Sequence, residues 1–112
     1  MNTSLIFGTR AAALCAIVAA VGCVSAPPAP PTELVLARTA IAQAEQAGAA
    51  QTAPVELSAA RERLSEAEHF ASHDDFDLAR WRAQESESDA KLAEATAQDA
   101  KARVAVSAES TS

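Results

Sequence analysis

From Thr32 onward, apolar residues recur at alternating spacings of three and four, the pattern of amphipathic helices that pack on one another. A first stripe, Leu34, Ala37, Ile41, Ala44 and Gly48, predicts a helix over 32–47. Thr32 stands at its N-cap, Glu33 complements the positive end of the helix dipole, and Gly48 provides a stop. Residues 49–53 read as a short connection. Pro54, favoured in the first helical turn, opens a second helix over 54–72 with the stripe Leu57, Ala60, Leu64, Ala67 and Ala71. Ser72-His73-Asp74-Asp75 reads as a turn, with Ser72 or Asp74 capping a third and longest helix over 75–106. One line along that helix (Phe76, Ala79, Ala83, Ser86, Ala90, Ala93, Ala97, Ala100, Val104) runs unbroken. A second line, on another face, holds Leu78, Trp81, Leu92, Ala95, Ala102 and Val106, and is interrupted by Glu85, Ser88 and Asp99.

These elements predict an all-α domain over 32–106, either a small Ala-rich three-helix bundle or a helical hairpin with one long C-terminal helix. The small polar residues 107–112 are expected to form a disordered tail. At 1.5 Å per residue the first helix spans about 24 Å and the third nearly twice that, so the end of the third helix overhangs its neighbours. An overhanging helix with an Ala/Val stripe predicts association, through Ala93, Ala97, Ala100 and Val104. Trp81 is the single residue most suited to anchor a contact, because Trp is enriched at interface centres; the alternative is a Trp packed on Leu78 and a neighbouring helix.

The N-terminal pattern is different. Residues 11–21 form an apolar run of eleven, too short for the twenty or so that cross a hydrocarbon layer but suited to the hydrophobic region of a secretory signal peptide. Ala20-Val21-Gly22-Cys23 then resembles the lipobox of bacterial lipoproteins, with Ala20 where Leu is usual. That resemblance implies a signal peptide over 1–22, diacylglyceryl transfer to the Cys23 thiol and cleavage before it. Ordinary secretory cleavage after Ala26 is the rival, and Pro27 directly beyond that bond counts against it. Two or more acyl chains hold a protein on a membrane where one does not. By the sorting rule that the resemblance carries, Val24 rather than Asp after the Cys implies the outer membrane, with the domain on its periplasmic face. Residues 23–31 form a lipidated Cys followed by a tether: four of the five prolines fall within 27–31, which favours an extended, semi-rigid spacer. With Cys15 lost in the signal peptide and Cys23 capped by lipid, no internal disulfide remains; the alternative Cys15–Cys23 bridge would have to form inside an apolar segment.

Composition changes the picture in two ways. The hydrophobic fraction is 49%, but Ala supplies 30 residues, Tyr none and Trp one. Alanine favours helix and buries little area, so the core is expected to be thin and stability modest. The formal charge is −6, and losing the segment that carries Arg10 makes the remainder more acidic still. With no basic run or basic–aromatic stretch, the chain lacks the positive footprint that nucleic acid requires.

Candidate chemistry is sparse. His69 and His73 stand four apart beside Glu66, Asp74 and Asp77, a spacing at which two imidazoles on a helix can share a metal. His73 falls at the expected turn and no Glu adjoins His69 as hydrolytic zinc helices require, so the pair is a weak metal candidate and otherwise solvated. Carboxylates are abundant, but splitting the pKa values of a catalytic pair needs a desolvating pocket, which a thin Ala core does not readily enclose. With no Gly-rich phosphate loop and no cofactor motif, the expectation is a protein that is not an enzyme and whose only prosthetic group is covalent lipid.

Ala40-Ile41, Ala44-Glu45, Gly48-Ala49, Ala53-Pro54 and Glu56-Leu57, followed by Ala60, Leu64, Ala67, Asp75-Phe76, Ala79 and Asp89-Ala90-Lys91-Leu92-Ala93, carry a further resemblance. Over about 34–97 the chain is similar to a domain-of-unknown-function family of Ala-rich bacterial envelope lipoproteins, found alone or ahead of OmpA-like domains. The resemblance implies an envelope location and carries no catalytic residues, and no cell-wall contact of the OmpA-like kind is expected from residues 1–112. The interval from Ala67 and Phe70 to Ala79 resembles the small–aromatic–small spacing of tetratricopeptide helix pairs. One such unit is a packing rule for a hairpin and no solenoid. The function expected is a small helical interaction or scaffold module anchored to the outer membrane, bound to an unknown envelope protein or to itself. The alternatives are a weak divalent-metal or ligand-binding lipoprotein and a self-assembling structural one.

Overall fold

The computed structural model describes Gly22 and residues 29–111. The lipidation site expected at Cys23, the leader apart from Gly22 and residues 24–28 of the tether lie outside the described residues. All regular structure among the described residues is helical: α1 (Glu33–Gln46), α2 (Ala49–Thr52), α3 (Pro54–Ser72) and α4 (Phe76–Ser110). The all-α class with one long C-terminal helix is thus the architecture.

The element ends show how the chain is steered. Thr32 occupies the α1 N-cap without a side-chain cap bond; its carbonyl accepts from the Val35 and Leu36 amides instead. Gly48 follows α1 at φ +92°, a left-handed turn that glycine adopts without a Cβ clash. The expected connection over 49–53 is partly helical. Beyond Gly48 the chain re-enters the α basin for the single turn α2, which puts Ala49 and Ala53 into the core. Pro54 then starts α3 at a position where its missing amide hydrogen costs nothing.

At the α3–α4 turn, Asp74 takes a left-handed conformation with φ 59°. The Asp75 amide donates to the Phe70 carbonyl and the Asp74 amide to that of Ala71, the paired bonds of a Schellman C-cap. Asp75 caps α4, its carboxylate accepting from the Leu78 amide at 3.5 Å. Asp74 and Ser72, the expected caps, are therefore one and three residues too early. At the far end α4 runs to Ser110, past the expected boundary at Val106, and the Ser107 and Ser110 hydroxyls bond back to carbonyls one turn earlier.

Cross-helix ion pairs fix the directions. Arg38 with Glu68 and Arg61 with Glu45 make α3 antiparallel to α1, while Arg63 with Asp89 and Arg82 with Glu66 make it antiparallel to α4. Consequently α1 and α4 run side by side in the same direction, from Glu33 beside Arg80 to Gly48 beside Lys101. The core between them is thin. Among the described residues, Leu34, Ile41 and Leu57 are the only members of the two buried core clusters larger than Ala, and half-buried Leu64 bridges the clusters. Ala at 60, 67, 79, 83, 90, 93 and 97 is fully buried and lets the backbones approach closely. Ser86, also fully buried, donates its hydroxyl to the Ala60 carbonyl at 2.6 Å, so the one buried polar side chain on this seam is satisfied.

Candidate interaction surface

α4 has two faces of opposite fate. Ala79, Ala83, Ser86, Ala90, Ala93 and Ala97, six members of the unbroken line, are buried against α1, α2 and α3. This corrects the expectation for Ala93 and Ala97. Their association surface is already covered, because α2 and the α1–α2 turn reach along α4 farther than α1 alone does. Ala100 is half-buried and Val104 is 68% exposed, so only the end of that line is open.

At about 100° per residue, the second line points away from the core. Trp81 is 57% exposed, Leu92 54% and Val106 66%, with Ala95 and Ala102 exposed between them. Leu78, at the flank, is nearer to burial. Trp81 is thus not packed under a neighbouring helix; its ring carries the Arg82 guanidinium at 5.6 Å and forms one wall of a shallow hollow of about 300 Å³. Arg63, Gln84, Glu85, Ser88 and Asp89 line the rest of it. Arg82 is held firmly in its charged form, first by its hydrogen bond to Glu85 at 2.8 Å and then by the nearby Glu66 carboxylate. A second open hollow, of about 440 Å³, lies on the overhang between Ala102, Arg103, Val106, Ser107 and Ser110. Beyond Lys101 every described residue is exposed, an overhang of roughly 13 Å.

A family match now stands beside this geometry. The family described as "Domain of unknown function (DUF4398)" matches residues 32–108, more than half of the chain, with α1 to α3 and all of α4 but its last two residues. The chain belongs to the DUF4398 family. Comparison with curated proteins and with solved structures gives no match.

Within this DUF4398 domain the other candidates are placed as follows. The His69 and His73 rings lie 4.5 Å apart and both side chains are exposed. The His73 Nδ1 lies 2.9 Å from the His69 carbonyl, which takes that nitrogen away from any shared ligand. Among the described residues no three His, Cys, Asp or Glu side chains come together as a metal-binding group. No described helix is long and apolar enough to cross a membrane. Sequence reasoning named Trp81 but missed Arg63, Gln84 and Asp89 beside it, because Arg63 arrives from α3. It also treated Glu85, Ser88 and Asp99 as interruptions. With them included, the outer positions 81, 85, 88, 92, 95, 99, 102 and 106 keep strict heptad spacing, and that signal was available in the sequence.

Proposed function

We propose that this DUF4398 protein is a non-catalytic helical interaction module of the bacterial envelope, anchored by lipid at Cys23 and held off the outer membrane by its Pro-rich tether. The observation that carries the interaction reading is the outer face of α4. Trp81, Leu92 and Val106 are all more than half exposed along α4, whose other face is committed to the core as far as Ala97. A stable helix that shows large apolar groups to water along its length gains by covering them. Over residues 81–97, where α4 is packed on its neighbours, the ordering cost of binding is low. The partner class is protein, since the surface is acidic overall and the hollows beside it are shallow and open.

The anchor reading rests on Ala20-Val21-Gly22-Cys23 after the eleven-residue apolar run. Its test is Cys23→Ser in the full chain. The variant is expected to accumulate as unprocessed precursor that takes up no labelled palmitate and leaves the outer-membrane fraction. Unchanged labelling and fractionation would end the anchor reading and leave the α4 surface to be judged separately.

A further inference from the structure

The outer face of α4 carries both a protruding anchor and a hollow of matching character, at equal distances from one point. We propose that this face binds a second copy of the same chain, α4 against α4 in antiparallel orientation, with Trp81 of each copy seated in the overhang hollow of the other. The inference rests on the reading of this face as an interaction surface and names its occupant.

A two-fold axis between residues 93 and 94 sets Trp81 opposite Val106, Glu85 opposite Ala102, Ser88 opposite Asp99 and Leu92 opposite Ala95. Every pair sets a larger side chain against a smaller one or a hydroxyl against a carboxylate. The indole then meets the hollow between Ala102, Arg103, Val106 and Ser107. In exchange Ala102 and Val106 enter the hollow whose wall is Trp81. One patch supplies both halves of the contact, which is the requirement for a closed two-fold interface.

Charge selects the orientation. In a parallel pairing at heptad register Glu85 would face Glu85 and Asp99 would face Asp99, which places like charges together on the seam. In the antiparallel pairing Glu85 comes beside Arg103 of the second copy, and Asp99, already held by its own Arg103 at 2.9 Å, faces Ser88, whose hydroxyl turns from the Gln84 carbonyl that it bonds at 3.0 Å to donate across the seam. The overhang opens the flanks of this register too, because no described residue beyond Lys101 is buried. From Trp81 to Val106 the shared length is about 38 Å. Two helices in contact over that length cover roughly 1,000 Å² in total, the low end of specific interfaces, so the pairing is reversible.

The test uses full-length chains in their native membranes and a short bis-maleimide. Chains with Ser88→Cys are co-expressed with chains carrying Asp99→Cys, against the background given by Cys15 and Cys23 in the wild type. Antiparallel pairing predicts a cross-linked dimer from the mixture and none above background from either variant alone. Adding Trp81→Ala to both chains should weaken the pairing about tenfold, with helicity unchanged because Trp81 is not part of the core. A dimer from Ser88→Cys alone, no dimer from the mixture, or a dimer indifferent to Trp81→Ala would each overturn the proposal. A photoreactive residue at Trp81 separates this from the broader reading. Capture of a different chain while the mixture stays monomeric refutes self-pairing and leaves the interaction module standing, whereas no capture contradicts both.

Discussion

Among the described residues, two with left-handed backbones turn the chain, and only one of them is glycine. Gly48 sits at φ +92° with its nearest prospective Cβ neighbours 3.8 Å away, so Gly48→Ala has room for the methyl group and suffers only from the backbone. That strain costs about 1–2 kcal/mol, and urea unfolding should show the loss. Asp74 is the converse. At φ 59° it bears the same strain natively in the position where a Schellman cap prefers glycine. Asp74→Gly should therefore raise stability by roughly 0.5–1 kcal/mol in the same measurement. An equal loss in both variants would mean that the Asp74 side chain contributes more to the turn than its backbone costs. Gly48 was legible as a helix stop, whereas the left-handed Asp74 was not. The run Ser72-His73-Asp74-Asp75 offers four plausible turn residues, and local chemistry does not say which one becomes left-handed and which one caps.

At the scale of the helices, the sequence was read well where periodicity was strong. The line Leu34, Ala37, Ile41, Ala44 and the line from Ala79 to Ala97 are the buried faces of α1 and α4, as their spacing predicts. What spacing could not tell was how far along α4 its neighbours reach. The α2 turn was read as a loop, since four residues carry too little periodicity to register, yet its Ala49 and Ala53 are the cover over Ala93 and Ala97. Reading that cover as absent is what misplaced the interaction line by one face. Large side chains are scarce in this seam, so the few present matter greatly. Among the described residues Leu57, 1% exposed, is the largest fully buried side chain, and Leu57→Ala should cost about 2–4 kcal/mol, a large share of a thin core's stability. Val55→Ala, on the exposed side of the same helix, should be nearly neutral; comparable losses would contradict the packing described. Hydrogen exchange should divide α4 in the same way. Amides up to about Lys101 should exchange slowly and those over 102–110 quickly, because the overhang has only its own helical bonds. Uniform protection in dilute protein would show that something already covers the overhang.

As a whole molecule, this DUF4398 chain combines a thin, Ala-rich bundle with one helix that outruns it and keeps its largest exposed side chains on the far side. Five ion pairs tie the helices together at the surface, between Arg38 and Glu68, Glu45 and Arg61, Arg63 and Asp89, Arg82 and Glu66, and Arg80 and Glu33. Each contributes little alone; the buried Ala line of α4 decides which face turns outward, and the pairs lie along the rim of that packing. The central claim is that this outward face is where the protein meets its partner. The direct measurement places a photoreactive residue, one position at a time, in the full-length chain in intact cells. Ser88, Ala95 and Ala102 sample the outer face of α4, while Gln43 on α1 and Ser58 on α3 sample exposed positions elsewhere. The account predicts cross-linked protein adducts at the three α4 positions and little at Gln43 or Ser58. Adducts of equal yield at all five, or adducts confined to α1 and α3, would contradict it.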